Sequence, residues 1–185
     1  MQRSQALVLS FAGLLFQATA WAQVPPSAAE VARYSGLHAA AQRGDVAQIQ
    51  RLATAATVNT VDSYGRTPVH VASFAKQREA IRALVKAGAD LNKLESDRYD
   101  AVTIASVADD EETLRVLLQL GASAKLTTSR YDGTALIAAA HLGHDGVVRQ
   151  LIQAGAPLDH VNNLHWTAAI EAVVLGDGGK RHQST

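Results

Sequence analysis

Apolar side chains between residues 62 and 92 follow the spacing of two short helices. In the second half of this stretch, three apolar residues share the i, i+3, i+4 spacing of an amphipathic helix: Ile81, Leu84 and Val85. The first half opens with Thr67-Pro68 and carries Val69 and Ala72 on one side. Because threonine is a favoured N-cap and proline suits the first helical position, the pattern predicts an inner helix followed by an outer helix.

The same pattern returns along the chain. The segment at residues 67–72 recurs at 100–105, 134–139 and 167–172, in steps of 33, 34 and 33 residues. A Gly-Ala pair follows in step, at Gly88-Ala89, Gly121-Ala122 and Gly155-Ala156. One such helix pair cannot bury its own apolar face, so we expect the copies to stack on one another.

A period near 33 residues that begins with Thr-Pro-Val-His-Val-Ala and ends with Gly-Ala resembles the ankyrin repeat. The resemblance covers about residues 35–175 and implies an all-α solenoid of about five helix-turn-helix repeats. The first repeat is degenerate, with Ala55-Ala56 in place of Gly-Ala, and is interpreted as an N-terminal cap. The last repeat is expected to be incomplete. The predicted repeats are 35–61, 62–94, 95–128, 129–161 and a partial repeat at 162–185.

Residues 1–22 have the layout of a secretory signal peptide. Arg3 precedes an apolar run at residues 6–16 that is too short to span a bilayer, and Ala20-Trp21-Ala22 supplies small residues before a cleavage point. A buried N-terminal helix is the alternative. Residues 23–34 are predicted to be a Pro-rich linker that turns into a lead-in helix. We therefore predict export to a bacterial periplasm, cleavage after Ala22 and no stable membrane insertion afterwards.

Composition narrows the classes of function. Seventeen basic residues balance seventeen acidic ones, which favours neither nucleic acid nor an anionic membrane as a partner. The absence of cysteine excludes disulfides, thiol catalysis and cysteine-ligated zinc.

The histidines and acidic residues do not predict an enzyme. His38 and His70 fall where the ankyrin resemblance implies a structural histidine bonded to backbone. His141 and His144 stand at i, i+3, but Gly143 is expected to end the helix between them, and no third metal ligand follows. Residues 109–112 are four carboxylates at a predicted helix start, where the dipole favours them; a cation site is the alternative. Nucleophile, phosphate-loop and dinucleotide motifs are missing, so we predict no enzymatic activity and no cofactor.

What remains is a surface for another protein. The resemblance implies that turn tips and inner helices line a concave binding face, and Tyr, Trp and Arg are the residue types enriched at interface hot spots. The predicted partner-binding residues are Tyr64, Arg66, Phe74, Arg98, Tyr99, Arg130, Tyr131, His141 and Trp166. Packing against a neighbouring repeat is the alternative for Trp166, and solvation is the alternative for the arginines.

The chain is similar to small exported bacterial ankyrin proteins, which include ones that support catalase-dependent peroxide defence. That similarity makes a catalase or another oxidative-stress enzyme the first candidate partner. Two alternative interpretations of the chain itself are an immunity protein that neutralises a periplasm-delivered toxin, and a truncated fragment of a longer ankyrin protein.

Overall fold

The computed structural model describes residues 23–175; the predicted signal peptide at 1–22 and residues 176–185 lie outside this range. The helices of the described chain are joined by turns and loops, and one isolated antiparallel bridge links Thr128 and Gly133. The helices are α1 (Ala28–Arg33), α2 (Gly36–Arg43), α3 (Val46–Leu52), α4 (Pro68–Phe74), α5 (Arg78–Lys86), α6 (Ala101–Val107), α7 (Glu111–Gln119), α8 (Ala135–Leu142), α9 (Asp145–Gln153) and α10 (Ala168–Leu175). The predicted lead-in helix is present as α1, and the all-α prediction is confirmed.

The helices after α1 are arranged in two rows. Helices α2, α4, α6, α8 and α10 pack in succession to form the inner row, and α3, α5, α7 and α9 form the outer row. Each outer helix also packs on the inner helix that precedes it in the chain. None of the helices between residues 23 and 175 is long and apolar enough to cross a membrane.

Side-chain caps start the inner helices where the repeated segments predict. Thr67, Asp100 and Thr134 each accept a hydrogen bond from the backbone N–H three residues later. Pro68 occupies the first turn of α4, where its missing N–H leaves no helical bond unmade. These caps fix where α4, α6 and α8 begin.

Small and large apolar residues have separate places in the core. Ala72, Ala105 and Ala139 are fully buried in successive inner helices, and their small side chains let those helices approach one another closely. Leu84 and Leu117 are fully buried on outer helices, as the register predicts. The core is therefore made by stacking identical positions of neighbouring repeats.

The turn between inner and outer helix uses a left-handed residue in four repeats. The φ angles are 71° at Gly44, 57° at Lys76, 51° at Asp109 and 67° at Gly143. Helix α8 ends at Leu142 and α9 starts at Asp145, so the prediction that the helix ends between His141 and His144 is confirmed.

Two histidines and one acidic residue have structural roles. The Nδ1 atom of His70 accepts the Thr67 N–H at 2.9 Å, and its Nε2–H donates to the Lys93 carbonyl at 2.9 Å. Burial lowers the pKa of His70 to about 4. His38 contacts the Arg66 carbonyl through Nε2, at 2.9 Å. Asp110 caps α7 by accepting the Thr113 N–H at 3.1 Å, which supports the helix-start interpretation of residues 109–112.

Candidate functional site: the row of hairpin tips

A tight hairpin precedes the inner helix in each of four repeats. The hairpins are residues 62–66, 95–99, 128–133 and 162–166, and together they are called the tip row below. In each one, the first residue donates its backbone N–H to the carbonyl of the last residue, at 2.8 to 3.0 Å. The third hairpin is one residue longer than the others.

The first side chain of three hairpins fixes the loop from inside. Oδ1 of Asp62 accepts the N–H groups of Tyr64 and Arg66, at 2.8 and 2.9 Å. Glu95 and Asn162 make the equivalent pair of bonds in their own hairpins. Short polar side chains that bond nearby backbone groups are typical of tight turns, and here they leave little freedom in the tips.

Neighbouring hairpins are joined by backbone hydrogen bonds that run in one direction. Ser96 N–H donates to the Tyr64 carbonyl at 3.0 Å, Ser129 N–H to the Arg98 carbonyl at 2.9 Å, and Asn163 N–H to the Tyr131 carbonyl at 2.9 Å. The donor is the second residue of its hairpin each time. The tip row is therefore a continuous ladder that holds the exposed side chains of different repeats at set distances.

The predicted tip arginines Arg98 and Arg130 are exposed, and both form ion pairs between hairpins. Arg98 Nη1 lies 2.8 Å from Oδ1 of Asp132, and Arg130 Nη2 lies 3.6 Å from Oδ1 of Asp97. Each of the two hairpins thus contributes one arginine and one aspartate. With 72% of its side chain exposed, Arg130 remains accessible to a partner.

The predicted aromatic residues occupy two different positions in the hairpins. Tyr64 and Tyr131 lie in the middle of their loops, and Tyr64 is 49% exposed. Tyr99 and Trp166 are the last residues of their hairpins and are half-buried. Burial raises the pKa of Tyr99. This difference explains why the aromatic residues are out of register in the sequence.

Arg66 does not belong to the exposed surface. Its side chain is buried, forms ion pairs with Glu30 and with Oδ2 of Asp62 at 3.2 Å, and stacks over the ring of Tyr64 at 4.3 Å. Arg66 therefore offers little accessible surface in the folded chain, and its contact with a partner stays a prediction. Its guanidinium joins the first hairpin to α1, which sequence spacing did not indicate.

The two predicted partner-binding residues on inner helices differ in how accessible their side chains are. Phe74 is half-buried at the end of α4 and remains partly accessible. His141 has only 13% of its side chain exposed, and its Nδ1 lies 3.0 Å from Oε2 of Glu171, a fully buried carboxylate on α10. The imidazole of His141 thus faces the neighbouring repeat and is little exposed, and its partner-binding role stays a prediction.

Sequence reasoning missed the residues that support this surface. Glu30 receives the backbone N–H and the hydroxyl of Ser27 and pairs with Arg66; these interactions, the Ser27 bonds first, lower its pKa to about 2. Tyr34 donates to Oδ2 of Asp62 at 2.9 Å. The Ser-x-x-Glu spacing of Ser27 and Glu30 is a capping-box signal that predicts α1, but nothing in it indicates Arg66 as a partner. Within residues 23–175 no group of three or more potential ligands is placed to hold a metal ion.

Comparisons with known proteins agree with the repeat architecture of the chain. A family model described as "Ankyrin repeats (3 copies)" matches residues 23–95 and 101–180. The chain is 33% identical over 147 residues to the ankyrin repeat protein YahD of Escherichia coli (strain K12), a match that covers 78% of this chain and 73% of that protein. A shorter segment of 66 residues, 35% of the chain, is 41% identical to Inversin of Mus musculus and covers 6% of that protein. Human Inversin matches to the same 41% over 63 residues, 33% of this chain and 6% of that protein.

Proposed function

Since this chain belongs to the ankyrin-repeat family, whose repeats indicate a protein–protein interaction module, we propose that it binds a protein partner through the exposed side of the tip row. The contact residues would be Tyr64, Arg98, Tyr99, Arg130, Tyr131 and Trp166 of the tip row, with Phe74 at the end of α4. We further propose that this happens in the periplasm, after removal of residues 1–22.

The backbone ladder of the tip row is the observation that carries the proposal. Binding normally costs free energy because side chains and loops lose freedom, and a surface that is already ordered reduces that cost. Here the aromatic and arginine side chains come from loops that are bonded internally and to one another. Tyr and Arg in such positions are the types that dominate measured interfaces.

The test is affinity for a partner captured from periplasm with the chain that starts at Gln23. We expect Tyr99→Ala and Arg130→Ala each to weaken that complex by more than about 1 kcal/mol. The melting temperature is measured for each variant, because Tyr99 is half-buried and its loss affects packing as well.

Two outer-helix arginines provide matched controls. Arg82 and Arg115 are exposed and paired to a glutamate three residues earlier, at 3.3 and 2.7 Å, as Arg130 is paired to Asp97. Their replacement by alanine should leave binding unchanged. Equal losses from tip and outer-helix variants would show general destabilisation and would contradict binding at the tip row.

Export and partner class are tested separately. Mass spectrometry of the protein from the periplasm should give an N-terminus at Gln23, and a mature chain that starts at Met1 would overturn the localisation. A catalase or another peroxide-removing enzyme is the partner we propose first, and a secreted toxin is the alternative. Identification of the captured protein separates the two, and the absence of any captured protein would favour the truncated-fragment interpretation.

A further inference from the structure

The ladder of the tip row has an unfilled position at its first hairpin. In hairpins 95–99, 128–133 and 162–166 the second residue donates its N–H to the preceding hairpin. The equivalent residue of hairpin 62–66 is Ser63. Its N–H has no acceptor among the described residues, because α1 stands where a preceding hairpin would lie.

A cleft separates α1 from this hairpin. Its volume is about 360 Å³, and it is lined by Glu30, Arg33, Tyr34, Asp62, Ser63 and Tyr64. Helix α1 buries none of its own residues and is held by polar contacts, chiefly the Glu30–Arg66 ion pair and the Tyr34–Asp62 hydrogen bond. The cleft therefore lies beside the first hairpin of the ladder, and no buried side chain of α1 fills it.

The charged residues that line the cleft differ in whether they already have an ion-pair partner. Glu30 and Asp62 share a single cation, the guanidinium of Arg66, which forms an ion pair with each of them. Arg33, the basic residue in the last turn of α1, makes no ion pair or hydrogen bond with any residue in the described range. The groups left to a ligand are the Arg33 guanidinium, the Ser63 N–H and the exposed ring of Tyr64.

We propose that this cleft binds an extended acidic segment of the protein partner, which continues the ladder by one position. A backbone carbonyl of that segment accepts the Ser63 N–H, as Tyr64, Arg98 and Tyr131 carbonyls do for the later hairpins. A carboxylate side chain pairs with Arg33, for which arginine geometry is well suited. The inference rests on the proposed function, since it names the kind of segment that reaches this end of the same surface.

The turn at residues 62–65 permits a substitution that removes the backbone N–H of Ser63 and keeps the turn. Gly65 N–H donates to the Asp62 carbonyl at 3.1 Å, which makes Ser63 the second residue of a β-turn. Proline is favoured at that position, so Ser63→Pro deletes the free N–H and fits the turn. Ser63→Ala is the matched control, because it removes the hydroxyl and keeps the N–H.

The probe is a library of random seven-residue peptides, selected against the chain that starts at Gln23 and then synthesised individually. We expect the selected peptides to be acidic. Their affinity should fall about 10-fold for Ser63→Pro and for Arg33→Gln, the loss of one charge-assisted or backbone hydrogen bond, and should not change for Ser63→Ala. Arg149→Gln, on the outer helix α9, is the control for a general loss of positive charge.

Three results would overturn the inference. Selected peptides that bind Ser63→Pro as tightly as the parent would exclude the ladder bond. Peptides without acidic residues would exclude the Arg33 pairing. Light scattering that shows a dimer lost only in Ser63→Pro would assign the cleft to a second copy of the chain. If Tyr99→Ala and Arg130→Ala weaken the captured partner while Ser63→Pro does not, the proposed function stands and only this cleft is wrong.

Discussion

The second and third repeats place different residues at the same positions of one framework. In the second, Thr67 caps the inner helix and His70 reaches across to the Lys93 carbonyl. In the third, Asp100 is the cap, and the hydroxyl of Thr103 lies against Asp100 and 3.3 Å from Oγ1 of Thr128. An imidazole and a hydroxyl thus both link an inner helix to the segment that follows it, so the position matters more than the side chain.

The hairpins of the same two repeats differ more. Arg66 is buried and paired to two carboxylates, one of them on α1, while Arg98 is exposed and paired to Asp132. The second repeat has α1 beside its tip, whereas the hairpin of the third repeat lies between hairpins 62–66 and 128–133. The role of a tip arginine is therefore decided by what lies next to the hairpin, and the following predictions test that difference.

Replacement of the two arginines should give the largest contrast. Arg66→Ala leaves the mostly buried Asp62 carboxylate without its cation, and breaking a buried pair costs about 3–5 kcal/mol. Arg98→Ala removes an exposed pair and should cost less than about 1 kcal/mol. Urea unfolding of both variants measures the difference. Similar free energies of unfolding for the two would contradict the structural role of Arg66.

Acid should affect the second repeat through His70. Its pKa is 6.5 when unfolded and about 4 in the fold, so the folded state favours the neutral ring. This preference contributes about 3 kcal/mol to the free energy of unfolding above pH 6.5. The contribution is lost as the pH falls towards 4. Urea unfolding at stepped pH should show this slope in the parent chain and a weaker one in His70→Gln.

The third repeat should respond with the opposite sign. Burial raises the pKa of Asp100 above its usual 3.8, so the fold favours the protonated carboxyl. The stability from this group is present below the unfolded pKa and is lost as the pH rises through the folded pKa. Asp100→Asn should therefore remove the part of the stability that is present at low pH and is lost as the pH rises. If the free energy of unfolding of that variant depends on pH as in the parent chain, the burial argument is contradicted.

The interhelix turn offers a smaller, stabilising change. Lys76 adopts a left-handed φ of 57° where two other repeats have glycine, Gly44 and Gly143. Lys76→Gly should relieve the side-chain clash of that conformation and raise the free energy of unfolding by about 0.5–1 kcal/mol, even after the greater freedom of glycine in the unfolded chain. Thermal melting measures the gain. Lys86→Gly, within α5, is the control and should destabilise the chain.

The smallest expected effect is the coupling between Arg98 and Asp132. A double-mutant cycle to alanine should give about 0.2–1 kcal/mol, because both side chains are about half exposed and their attraction is screened by water and salt. The coupling should weaken further in high salt. A coupling as large as the effect of Arg66→Ala would remove the contrast between the two hairpins.

The repeats, the helix pairs and most of the core could be predicted because they depend on local information. Helix caps such as Thr67 act over three residues, and an apolar stripe such as Ile81 and Leu84 follows from one helix alone. Stacking then places each repeat against its neighbour, so a period near 33 residues already implies the architecture.

Only the tertiary structure decided which polar side chains face solvent. Arg66 meets Glu30 across 36 positions of sequence, and His141 meets Glu171 across 30. Nothing in the residue type distinguishes Arg66 from Arg98 or Arg130, which also lie in hairpins of the tip row but remain exposed. Burying an arginine or a carboxylate is unfavourable unless an opposite charge is close, and that proximity arises only when α1 and α10 pack against their neighbours. Local sequence therefore determined the framework of this protein, and contacts between distant segments determined which part of its surface is available.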